Sequence, residues 1–251
     1  MAPLRVVDSV DSTHDRLLDD LRRGAALPGD ALLALQQTAG HGRRGRPWRG
    51  GRGDTLMLSV VVGPVDPRTA PSLSPVAALA VLDLVTEMVG AERCRWKWPN
   101  DVLIDERKVA GLLLALGAAK QLRESPVNTW CAVVSLGLNR RPPGGSWPDD
   151  LRPGAVSLFE ALGDGGQAPE PCEELGRRFL AKLEQRVEAW RGGVHLPTLL
   201  EPYMRIGRRV AVEQGTKRRT GQVAGLDELG RLLLKSGSEI LRISAGDVFE
   251  L

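Results

Sequence analysis

Cysteine is scarce in this chain, and the three present, Cys94, Cys131 and Cys172, are odd in number and far apart, with no CxxC and no histidine at ligand spacing. That excludes a disulfide framework and a Cys/His zinc site, and it predicts buried thiols in a reducing compartment. Long apolar runs are missing too. No segment reaches about 18 uninterrupted apolar residues, and MAPLRVVDSVDST lacks the apolar centre of a signal peptide, so the expectation is a soluble, cytoplasmic protein with no membrane partner. A large charge surplus is also absent: 34 basic residues face 31 acidic ones, and a net charge of +3 does not demand a nucleic-acid partner. There is no internal repeat, no heptad pattern, and no helix-turn-helix before Asp11, so DNA is not an expected partner. At 251 residues the chain can bury one main core plus a small second domain.

The positive charge that exists is local. QQTAGHGRRGRPWRGGRGDTL, residues 36–56, concentrates glycine and arginine, with Arg43, Arg44, Arg46, Arg49 and Arg52 in a span free of acid. Glycine allows close backbone approach, and guanidinium groups satisfy a phosphate or a carboxylate. A basic linker or a sequence-indifferent nucleic-acid patch has a similar composition. Here, however, apolar runs at 31–35 and 56–62 flank the segment and read as buried strands. A Gly/Arg segment held between two core strands is a binding loop on a scaffold.

Asp11-Ser12-Thr13 precedes a helical pattern over 14–23 and reads as its N-cap, a position that also offers hydrogen bonds to a polar ligand. Residues 71–89 carry apolar side chains at a period near 3.6 and predict a packed scaffold helix. CRWKWPNDVLIDERKVAGLLLALG, 94–117, reads as a strand, a Pro-Asn-Asp turn, a second strand, a charged turn at 105–107, and a third strand. Lys97 and Lys108 stand at the margins of these strands, where lysines commonly reach to water. With Asn100 and Asp101 in the turn between them, they also suit a phosphate, its metal ion and a developing oxyanion.

A strand over 130–138 ends at Asn139 and opens into a Pro/Gly-rich loop, 140–155, that reads as a lid or binding loop. A short helix at 156–162, a polar break at 163–171, a core helix at 172–190 and a helical piece at 194–204 follow. Beyond Gly207 come five short strands, 208–212, 221–226, 231–235, 240–243 and 248–251, with the spacing of a small barrel. The expected division is therefore 1–205 and 206–251.

In order, DST at 11–13, QTAGHGRRGRPW at 37–48, KWPND at 97–101, KVAGLL at 108–113 and GLN at 137–139 resemble the catalytic region of biotin-protein ligases, and the likeness runs nearly end to end. The resemblance implies an α/β fold, a class II aminoacyl-tRNA synthetase-like mixed sheet flanked by helices, with a C-terminal SH3-like barrel. It implies activation of biotin by ATP and Mg2+ to biotinyl-5'-AMP and pyrophosphate. Transfer to a lysine of a biotin carboxyl carrier domain of acyl-CoA or pyruvate carboxylases follows. No tightly bound prosthetic group is expected, and the enzyme is expected to be a monomer or homodimer.

By the same resemblance, Ser12, Thr13, Gln37, Gly40, His41, Arg43, Lys108 and Gly111 would bind biotin. Arg43, Arg44, Arg46, Trp48, Lys97, Asn100, Asp101, Lys108 and Asn139 would hold ATP or the adenylate, with Trp48 on the adenine. Lys108 and Arg43 would be catalytic, and Asp101 would take Mg2+. His41 departs from the arginine usual between the first two glycines, and a neutral imidazole there would weaken one anion contact. A lipoate-type ligase or octanoyltransferase of similar fold is the nearest competitor. The transferase needs a nucleophilic cysteine, whereas these three look structural. A nucleic-acid-binding module would explain the arginines but not the KWPND and KVAGLL hairpins.

Overall fold

The structure, a computed structural model, describes residues 4–119, 129–152, 154–163 and 169–251. The polar break read at 163–171 lies partly outside these residues. The catalytic part runs β1 (Leu4–Val10), α1 (Thr13–Arg23), β2 (Ala31–Gln37), β3 (Thr55–Val62), α2 (Leu73–Val89), β4 (Cys94–Lys97), β5 (Asp101–Ile104), β6 (Arg107–Ala118), β7 (Trp130–Asn139), α3 (Leu158–Leu162), α4 (Cys172–Arg191) and α5 (Leu196–Leu200). Its seven strands form one mixed sheet in the order β1-β2-β3-β7-β6-β5-β4, with β1 and β2 parallel and the other pairs antiparallel.

β1 was not expected from the sequence. LRVVDSV mixes apolar and charged residues with only partial burial, because it is an edge strand with a ladder on one side. Its pairing matters for the site. The parallel β1-α1-β2 connection brings the N-terminus of α1 to the carboxyl ends of both strands, where ligands of α/β sheets collect.

Both faces of the sheet centre are covered, so β3 and β7 read as continuous apolar runs. Leu56, Leu58, Val60 and Val62 of β3, with Val134, Leu136 and Leu138 of β7, join the main core under α2 and α4. The alternate residues Val61, Cys131 and Val133 pack with Leu17, Leu18 and Leu21 of α1. α2 with its preceding turn is long and apolar enough to cross a membrane, but 72 % of that stretch is buried inside the protein, as a core helix should be. Its two acids are used against α4: Asp83 receives two hydrogen bonds from Arg186 at 2.6 Å, and Glu87 pairs with Lys182 and Arg178.

Residues beyond 206 form β8 (Arg209–Gln214), β9 (Lys217–Leu226), β10 (Leu232–Ser236), β11 (Glu239–Ile243) and β12 (Asp247–Glu250), one antiparallel sheet in the order β11-β10-β9-β8-β12. All five expected strands are present, but the barrel is not closed: β11 and β12 are its two edges and do not pair. The start of β12 is engaged elsewhere, since Gly246 and Asp247 meet the arginine loop. Trp98 anchors this sheet to the catalytic part by donating its indole N–H to Gly230 O at 3.0 Å.

Candidate active site

A cleft of about 510 Å3 opens on the α1 face of the large sheet, where α1 stops covering it. Strand alternation explains its floor. On this face β7 presents Val133 under α1, then Ser135, Gly137 and Asn139, so the surface passes from apolar to hydroxylated to bare. Across the ladder, Ser59 of β3 faces Ser135, and Gly111 of β6 faces Gly137.

At the α1 end the cleft holds a buried chain of neutral hydrogen bonds. Ser12 caps α1, its hydroxyl oxygen accepting from Asp15 N–H at 3.3 Å. Gln37 Oε1 accepts from Thr13 N–H at 2.7 Å and from Thr13 Oγ1 at 3.0 Å. Ser59 Oγ donates to Thr13 Oγ1 at 2.9 Å and lies 2.8 Å from Ser135 Oγ, which lies 2.7 Å from His14 Nδ1. Burial pulls the His14 pKa down to about 4, so the ring is neutral at neutral pH. Gly40 is bare for a local reason: a Cβ there would sit 2.5 Å from Gln37 Nε2.

In the middle of the cleft the two facing glycines carry the Trp48 indole. A Cβ on Gly137 would fall 2.5 Å from Trp48 Cε2, and one on Gly111 would fall 2.9 Å from Cζ3. Trp48 Nε1 is buried with no hydrogen-bond partner among the described residues, and Lys108 Nζ sits 5.1 Å from the ring centroid. Lys108 reaches this face through a β-bulge. It lies three positions before Gly111, a spacing that in a regular strand puts the two side chains on opposite faces. The register slip between Val102 and Leu103 turns Lys108 onto the face of Gly111 and Asp101. There its ammonium pairs with Asp101 Oδ1 at 2.8 Å. The returning chain braces it, with Lys108 N–H donating to Gly154 O and Val156 N–H to Lys108 O.

The far end is ionic. Arg43 donates to Asn100 Oδ1 at 2.8 Å and to Gly246 O at 3.1 Å. Arg43, Arg44 and Arg46 converge on one carboxylate, Asp247 of the C-terminal sheet, at 3.5, 2.9 and 2.5 Å. Burial draws the Arg43 pKa down, against the pull of Asp247. The rest of the loop is tied likewise: Arg49 to Asp150 of the 140–155 loop at 2.9 Å, Arg52 to Asp8, and His41 Nε2 to Asp15 Oδ2 at 2.8 Å. The hydrogen bond that the ring donates to the Asp15 carboxylate raises the His41 pKa. His41 is thus tied to the first turn of α1 through Asp15.

The remaining groups read more plainly. Asn139 is buried and donates its amide to Lys108 O and Val156 O, clasping the chain behind Lys108. Lys97 is exposed at the cleft margin. Among the described residues no three His, Cys, Asp or Glu gather as a metal site. Mg2+ commonly binds through one or two carboxylates plus substrate phosphates, so Asp101 fits as a single protein ligand of a nucleotide-borne ion. The three cysteines are free and buried, burial raises each pKa, and Cys94 reaches about 11, which leaves no thiolate nucleophile.

Every residue named from the sequence for ligand contact lies in this cleft or on the loop beside it. Sequence reasoning missed His14, Ser59, Ser135 and Asp247. Two hydroxyls breaking apolar strands on one alternation phase were a legible sign of Ser59 and Ser135, whereas nothing local marks Asp247.

Comparison with known proteins agrees with this geometry. Residues 6–122 match the Biotin/lipoate A/B protein ligase family, and residues 206–249 match the Biotin protein ligase C terminal domain. The biotin--[acetyl-CoA-carboxylase] ligase of Mycobacterium tuberculosis is 35% identical over 99% of this chain and 89% of its own length. The enzyme of that name from Paracoccus denitrificans is 31% identical over 95% and 97%. Among solved structures, the biotin protein ligase of Aquifex aeolicus in complex with biotin and ATP superposes with a TM-score of 0.79 at 25% identity, covering 99% of this chain and 98% of that one. A likeness of that extent, on a cleft with these motifs, means that the chain belongs to the biotin protein ligase family.

Proposed function

We propose that the protein activates biotin with ATP and then biotinylates a carrier domain of a carboxylase, working as a catalytic domain, 1–205, with a C-terminal domain, 206–251. In the first step a biotin carboxylate oxygen attacks the α-phosphorus of ATP, pyrophosphate leaves, and biotinyl-5'-AMP forms. In the second the ε-amine of the carrier lysine attacks the acyl carbon, and AMP leaves with the bonding pair.

The observation that carries this reading is the change of chemistry along one cleft. A neutral head such as the biotin ureido group needs fixed donors and acceptors without charge, and the Ser12–Thr13–Gln37 end provides them. The carboxyl and α-phosphate gain negative charge in the transition state, where Lys108 and Arg43 stand as cations on a preorganised hairpin and loop. Asn100 and Asp101 lie beside them for the nucleotide, and Mg2+ would add phosphate charge neutralisation with Asp101 as its protein oxygen. Trp48, on the bare glycines, offers a flat apolar surface for the adenine. The buried thiols favour a reducing, cytoplasmic setting.

The test is incubation with ATP, labelled biotin and a purified carrier domain. ATP-dependent labelling of one carrier lysine, undiminished by excess lipoate, is expected. Labelling that ignores ATP, or a preference for lipoate, refutes the reading.

A further inference from the structure

The direction of every hydrogen bond at the head end follows from one backbone group. Thr13 N–H can only donate, so the Gln37 atom 2.7 Å away is the oxygen, and the Thr13 hydroxyl must donate to that same oxygen. With its one proton committed, Thr13 Oγ1 accepts from Ser59. The Ser59 proton is then used, so the 2.8 Å contact with Ser135 is filled by the Ser135 proton. Ser135 Oγ has none left for His14, and the 2.7 Å contact requires His14 to be the donor through Nδ1–H. The opposite tautomer would set two lone pairs against each other somewhere along a chain whose hydroxyls are all buried.

We propose that His14, held as the Nδ1–H tautomer, is a positioning residue that polarises this chain and so sets the donor and acceptor pattern read by the ligand head. This rests on the biotin reading above. Thr13 and Ser135 then face the cleft as acceptors only. The Ser12 hydroxyl proton, whose oxygen already accepts from Asp15 N–H, and the Gln37 amide hydrogens remain for a ligand acceptor. Two acceptors with donors beside them complement a cyclic urea, whose carbonyl lies between two N–H groups. They do not complement a head lacking N–H donors. Without the His14 donor, the Ser135 hydroxyl is free to turn its proton into the cleft, against a ligand N–H.

The pattern holds across neutral pH because the ring stays neutral. Its pKa of about 4 reflects burial first, with Asp15, His41 and Arg22 as the charged or titratable groups acting on it, and the His41 ring standing edge-on with its centroid 6.1 Å away. His14 touches no reacting atom, so its influence belongs in ligand binding and not in turnover.

The experiment compares two variants of nearly equal shape, His14→Asn, which can donate from the δ position, and His14→Asp, which as a carboxylate only accepts. His14→Asn should keep KM for biotin within about threefold of the wild type, and His14→Asp should raise it at least about tenfold, the size of one hydrogen bond reversed. KM for ATP and kcat should hardly move in either. Equal biotin KM in the two variants, or a loss confined to kcat, overturns the proposal. Should His14→Asp not fold, 15N NMR of the wild-type imidazole decides: protonated Nδ1 and unprotonated Nε2 at about pH 7 are expected, and the reverse overturns it. That measurement needs no biotin, so it stands apart from failure of the proposed activity, which would show as wild-type protein that makes no adenylate.

Discussion

The two ends of the cleft hold their ligand-facing groups by opposite means. The head end is neutral and buried and rests on strands and the first turn of a helix, with Ser12, Thr13 and His14 each under a tenth exposed. The far end is charged and partly wet, and it rests on a loop whose arginines lean on carboxylates from β1, the 140–155 loop and the C-terminal sheet. Buried neutral networks have no water to exchange with and keep one geometry, whereas exposed ion pairs contribute little each and trade partners readily. The head site is therefore preformed. The arginines of the far end are held by carboxylates, Asp247 above all.

The largest effect should come from Lys108, the cation proposed to serve the reaction. Lys108→Ala should lower adenylation by about 10²–10³-fold, the usual loss for a donor aimed at developing charge. Its melting temperature should stay near wild type, since the side chain is one-third exposed. Near-normal pyrophosphate release would remove Lys108 from the reaction.

Protonating the head end should come next. The folded His14 pKa of about 4 lies below its ordinary 6.5, so the unfolded chain binds more protons between these values, and stability falls as pH drops through that window. The loss should amount to roughly 2–3 kcal/mol by about pH 4.5. His41 works in the opposite direction: its raised pKa means that its pair with Asp15 is fully present below 6.5 and is lost as pH rises through the folded value. Urea midpoints of wild type and His14→Asn across this range isolate the first effect. Parallel curves would mean that the ring is not held neutral.

At the far end, Arg43→Gly removes charge-assisted bonds to Asn100 and Gly246. Release of biotinyl-5'-AMP should quicken by about 10- to 100-fold, with labelling of bystander lysines. Adenylate off-rates beside mass spectrometry of bystanders check this, and an unchanged off-rate in a variant that still makes adenylate would remove the retention role. The smallest effect should be Asp247→Ala. Relieved of a competing carboxylate, the arginines should bind ATP about two- to fivefold more tightly, the scale of an ion pair whose arginines are largely in water although Asp247 itself is mostly covered. Weaker binding would mean that Asp247 organises the loop instead of standing in for the anion.

Much of the scaffold was legible because it rests on local periodicity. The Ser12 cap, α1, α2, α4 and the five C-terminal strands follow from side-chain spacing, burial and turn residues, all of which act within a few positions. β1 escaped because an edge strand half in water carries no clear alternation. The arginines were legible as a cluster of positive charge, but their pairing was not: Asp8, Asp150 and Asp247 come from three distant segments.

What the sequence determined by itself was the chemistry available: a neutral cap, a Gly/Arg loop, two lysines on a hairpin, and no reactive thiol. The tertiary structure decided where that chemistry points. A bulge opposite Val102 and Leu103 turns Lys108 towards Asp101, a cross-strand register sets Gly111 beside Gly137 to seat Trp48, and another sets Ser59 beside Ser135. Each depends on which residue of one strand faces which residue of another. Because the side-chain period of a strand is two, a slip of one residue reverses the face, and no single segment contains the information to prevent it.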